Sequence, residues 1–150
     1  EVGLILAFSG VLDLIIQGGL AGPASRRLGD RGTMVIGLVG GAVGLVLMGL
    51  APDRNTFIAA IVVNAIWGIA EPAMRSLMSA EAPREQQGQL QGAMHCVMSL
   101  SGMIAPLFFG WVYARTLGWL PGLCFLIAAA ATAGAALLGA RSKQAGAEAA

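Results

Sequence analysis

Asp13 sits in the middle of residues 3–22, a run that is otherwise almost wholly apolar. A charged Asp near a bilayer midplane costs roughly 2.5–3.5 kcal/mol. Such a residue must face other helices, find a partner or carry a proton for part of the time. Ser9, Asp13 and Gln17 follow one another at i, i+4 and i+8, which stacks them on one helical face as a polar stripe. A carboxyl taken out of water is penalised in its ionised form. The chemistry on offer is therefore proton uptake and release, which can be coupled to the movement of a second solute. An interhelical hydrogen-bond clamp is the alternative role for the same side chain.

Four further polar positions interrupt apolar segments. Asn64 lies about a third of the way into its run and lines the same path or joins helices together. Glu71 and Arg75 are four apart in the favourable order for a helical ion pair, with Pro72 between them. Their spacing predicts mutual neutralisation, with a gating contact as the second reading. His95, the only histidine, shares a face with Gln91 and Ser99. It is a candidate proton relay or path residue, with plain packing as the competing role. Cys96 and Cys124 show no metal-ligand or redox spacing and read as small buried packing residues. The chain contains no Gly-x-Ser-x-Gly, no His-Glu-x-x-His and no glycine-rich phosphate loop, so neither an enzyme nor a bound cofactor or metal is expected.

The elements that position these residues follow from composition. Of 150 residues, 57% are hydrophobic and 11% charged, whereas soluble domains carry about a quarter charged residues. The formal net charge of +1 offers nothing to a nucleic acid. A membrane-crossing helix needs about 20 apolar residues, and five runs meet that length: 3–22, 33–52, 57–79, 90–114 and 118–140. The fold class expected is all-α, a polytopic transmembrane helix bundle. Its polar links are "PASRRLGDRG", "DRNT", "AEAPREQQGQ" and "RTLG", and residues 141–150 form a tail.

Basic residues in or beside the four links and the tail number three, one, two, one and two, an alternation that sets orientation. The first and third links and the tail are expected in the cytoplasm, with Glu1 outside. Gly37, Gly41 and Gly49 form one small-residue stripe and Gly40 and Gly44 a second, both suited to close helix packing. Pro106 and Pro121 are expected to interrupt or start helices. The opening residue, Glu1 rather than Met, suggests a piece of a longer protein, and no cleaved signal peptide is expected.

Two stretches resemble the major facilitator superfamily. "GPASRRLGDRG" is similar to its loop signature at Gly22, Arg27, Gly29 and Arg31, with Arg26 standing where the first-half copy carries Asp and Asp30 at a usually basic position. "EPAMRSLMSAEAPREQQGQLQGAMHCVMSLSGMIAPLFFGWVYA" resembles the region joining spans ten and eleven of the tetracycline-exporter group of proton-coupled antiporters, through Pro72-Ala73, residues 87–92 and Pro106-Leu107. The resemblance covers nearly the whole chain, as spans eight to twelve of twelve.

It implies two six-helix halves that alternate access about a central cavity. It also implies an inner-membrane exporter of drug-like molecules, with protons, membrane lipid and the missing N-terminal half and seventh span as partners. Arg26, Arg27, Asp30 and Arg31 would form a cytoplasmic gate with helix ends of the opposite half. Asp13 stands where tetracycline exporters have a His, Gly41 where they have an Asp, and Gln17 matches a Gln. The substrate is therefore open between a drug, a metabolite and a sugar-phosphate. A membrane scaffold that assembles partners, with Asp13 as its clamp, is the competing class, and an intramembrane enzyme is a third.

Overall fold

The computed structural model describes residues 2–81 and 83–147, and the regular structure among them is entirely helical. In chain order, α1 (Val2–Ile15) runs through a π-helical turn (Ile16–Leu20) into α2 (Ala21–Leu50). Next, α3 (Arg54–Asn64) passes through a 3-10 turn (Ala65–Ile69) into α4 (Ala70–Glu81). A 3-10 turn (Arg84–Gln86) leads into α5 (Gln87–Thr116), and α6 (Leu123–Ala147) follows. Among the described residues, four continuous stretches are long and apolar enough to cross a membrane: Ala7–Leu50, Arg54–Ala80, Gln87–Thr116 and Leu123–Arg141.

The first stretch, 44 residues long, takes in most of both of the first two expected spans. Residues 23–32, expected as a loop, are helical except at Gly29, whose φ of 72° and ψ of 161° break the helix. Ala, Arg and Leu are good helix formers, so the link winds up as far as the one residue free to turn. The chain reverses there, and the packing proves it. Ile16 and Gln17 lie against Gly68, while Gly41 lies against Trp67. On a straight helix Gln17 and Gly41 would be about 36 Å apart and could not both reach adjacent residues. The hydroxyl of buried Thr33 donates to the Gly29 carbonyl at 2.9 Å, a side-chain bond across the first turn after the break.

Helix α2 is the hub. One face packs on α3, the 3-10 turn and α4, and another packs on α6. Gly37, Gly40, Gly41 and Gly44 all meet the 64–70 segment, so the two expected glycine stripes act as a single broad face. A Cβ on Gly37 would stand 2.8 Å from that of Ala70. Gly49 instead meets α6 at Leu126 and the Gly122 carbonyl.

Pro106 lies within α5 without ending it, and Pro121 precedes the first turn of α6. The final turn before α6 occupies residues 117–122, later than the expected link at 115–118. Helix α6 continues through residue 147, so the expected tail is largely helical, and its last three residues lie outside those described. Helix α5 touches little besides α6 and leaves Met103, Leu107 and Trp111 exposed. Cys124 is half-buried, its thiol 3.4 Å from the Phe109 carbonyl. Cys96 is exposed on α5, contrary to the packing role expected from its apolar neighbours.

Candidate functional site

The π turn at Ile16–Leu20 and the 3-10 turn at Ala65–Ile69 occur at the same place. The π turn and the 3-10 turn pack against each other, and Gly68 leaves room for the Gln17 side chain, whose Cγ lies 3.3 Å from where a Cβ would be. Departures from α geometry inside spanning helices aim side chains off the regular helical faces and often mark functional positions. Beside this junction lies an open cleft of about 200 Å³, lined by Asp13, Gln17, Asn64, Trp67, Gly68 and Glu71.

Three of the residues singled out by type and spacing thus meet in one cleft: Asp13 from α1, Gln17 from the π turn and Asn64 from the end of α3. Ser9, on the same expected stripe, is not among the lining residues. Asp13 and Gln17 are exposed, whereas the Asn64 amide oxygen is buried and has no hydrogen-bond partner among the described residues. A buried acceptor without a partner is rare in native structures, and it leaves capacity for a donor from a ligand or water.

Glu71, Trp67 and Gly68 were not expected here. Their signal was nevertheless present, because Asn64, Gly68 and Glu71 fall at i, i+4 and i+7 on one helical face. The expected ion pair is formed as well. Arg75 donates to the same oxygen of Glu71 from Nη2 at 2.7 Å and from Nε at 3.2 Å. Glu71 therefore serves the cleft and the ion pair together.

His95 does not join the cleft. It lies exposed in a second, smaller groove of about 120 Å³ with Arg75, Ser79, Gln91 and Met98. Arg75 lines that groove while its guanidinium holds Glu71, which lines the cleft, so this one pair connects the two sites.

The reversal at Gly29 carries the remaining candidates. Asp30 accepts a hydrogen bond from the Ser76 hydroxyl of α4. Arg31 donates to the Gly139 carbonyl of α6 from Nη2 at 2.9 Å and from Nε at 3.1 Å. These two contacts tie the reversal to α4 and α6 of this chain. Gly22, Arg26 and Arg27 are exposed.

Comparison with known proteins gives a consistent answer. The family model described as Major Facilitator Superfamily matches residues 1–149. The chain is 31% identical over 129 residues to the class C tetracycline resistance protein of Escherichia coli, covering 86% of this chain and 33% of that protein. It is 32% identical over 128 residues to the class G tetracycline resistance protein of Vibrio anguillarum, covering 85% and 33%. The human Hippocampus abundant transcript-like protein 1 is 26% identical over 113 residues, covering 75% and 22%. The chain thus spans about a third of the length of the tetracycline resistance proteins it matches. No solved structure matches it.

Proposed function

The chain belongs to the major facilitator superfamily, and from that premise we propose that it supplies five spans of the C-terminal half of a proton-coupled transporter exporting drug-like small molecules. Asp13 is the proton-linked acid, and Gln17 and Asn64 line the substrate path. One observation carries this reading: residues 13, 17 and 64, far apart in sequence, line a single cleft at the junction of two irregular turns. The partnerless acceptor on Asn64 suits a donor group on the substrate. The likeness to proteins named for tetracycline resistance supports a drug-like substrate.

The mechanism follows from the cost of a bare carboxylate once the cleft is closed away from water. When the cleft faces a proton-rich side, Asp13 takes up a proton and the neutral form tolerates closure. When it faces the other side, the proton leaves and the carboxylate favours an arriving substrate. Proton and substrate are thereby bound in turn at one place. In this reading the rest of the transporter closes the cleft, the tail faces the cytoplasm, and the segment around Gly29 moves with the helices to which Asp30 and Arg31 tie it.

The test uses the full-length transporter in proteoliposomes with an imposed pH gradient. Wild type should drive drug accumulation against its gradient, and Asp13→Asn should lose that accumulation while still reaching the membrane. Undiminished uphill transport in Asp13→Asn would remove Asp13 from the mechanism.

A further inference from the structure

A separate crevice of about 490 Å³ lies between the start of α2, with the π turn before it, and the 3-10 turn before α4. Its walls are almost wholly apolar, formed by Ile16, Leu20, Pro23, Ile66 and Ile69, and Arg27 is its one charged lining residue. None of the residues proposed for the substrate path lines it. Arg27 and its neighbour Arg26 are exposed, and neither has an acidic partner among the described residues. This distinguishes them from Arg31, which is held by Gly139.

The order of these features along the chain identifies an occupant. Arg26 and Arg27 lie two to three residues from the reversal at Gly29, which in the reading proposed is where the chain leaves the bilayer and meets the headgroups. The apolar wall runs inward from there to Ile16, eleven residues or about 16 Å deeper. Charge at the boundary followed by an apolar channel toward the bilayer centre is the complement of a phospholipid, with its anionic headgroup outermost and an acyl tail behind it. Basic pockets between spanning helices are recognised sites for anionic headgroups. A free phosphate would satisfy the arginines but leave the apolar wall uncovered.

We propose that this crevice binds an anionic phospholipid, with the phosphate on Arg26 and Arg27 and one acyl tail along Leu20 and Ile16 against Ile66 and Ile69.

Native mass spectrometry of the full-length transporter, released from detergent with equal phosphatidylglycerol and phosphatidylcholine, tests the site. Wild type should retain phosphatidylglycerol preferentially. Arg26→Gln with Arg27→Gln should bind it about thirtyfold more weakly, the loss expected when two basic residues leave a charged membrane surface. Arg26→Lys with Arg27→Lys should keep the preference, which separates lost charge from lost folding. Ala24→Trp, which fills the crevice while leaving both arginines, should also reduce retention. Soluble glycerophosphate should not compete. An unchanged preference in the Gln double variant, full retention in Ala24→Trp, or competition by glycerophosphate equal to that by the lipid would each overturn the assignment. So would a cross-link showing the crevice filled by another segment of the transporter.

Discussion

Asp53 shows how much a single side chain can do where the chain leaves the membrane. It caps α3, accepting from the backbone amides of Asn55 at 3.1 Å and Thr56 at 3.4 Å and from the Thr56 hydroxyl. The Thr56 hydroxyl, with these amides, holds the Asp53 carboxyl below its ordinary value of 3.8. A folded-state value below the unfolded one means that the cap stabilises fully above the unfolded value and is lost as pH falls through the folded one. Thermal melts of wild type and Asp53→Asn should therefore differ near neutral pH and converge below about pH 3.8; a gap that persists in acid would place the effect elsewhere. At this scale the sequence was informative wherever a polar group stood in an apolar run, as with Asp13, Gln17 and Asn64. It understated Glu71, because the ion pair with Arg75 offered a complete local explanation and concealed its place in the cleft. His95, the only histidine, is carried by its helix, α5, to a different groove.

Helices were legible from apolar length, and their irregularities were not. Ile16–Leu20 adopts π geometry and Ala65–Ile69 adopts 3-10 where the two pack against each other, a tertiary contact that no local pattern records. The first link was misjudged for a related reason. Its charges mark it as outside the apolar core, but charge does not prevent helix, and only Gly29 leaves it. Its backbone lies in a region open almost solely to glycine, so Gly29→Ala should destabilise the full-length protein by about 1–3 kcal/mol. The contact between α2 and the 64–70 segment gives a second expectation. A side chain at residue 44 would run into the backbone of Asn64, and Gly44→Leu should cost about 1–3 kcal/mol or more through overpacking. Gly102 faces open space, so Gly102→Ala should leave the melt nearly unchanged. Chemical or thermal unfolding in detergent reads all three, and equal effects at Gly44 and Gly102 would contradict the packing described.

Across the whole molecule the family was the most legible property, carried by a loop signature and a long stretch from Glu71 to Ala114. The substrate was the least legible, because the cleft is completed, in the reading proposed, by helices of the rest of the transporter. That reading makes a global claim: substrate and proton compete through one acid, so binding one must expel the other. Purified full-length transporter in weakly buffered detergent solution, mixed with a transported drug under a pH indicator, measures this directly. Drug addition should release protons from wild type and none from Asp13→Asn. Equal release from both proteins would show that Asp13 is not where the proton is carried.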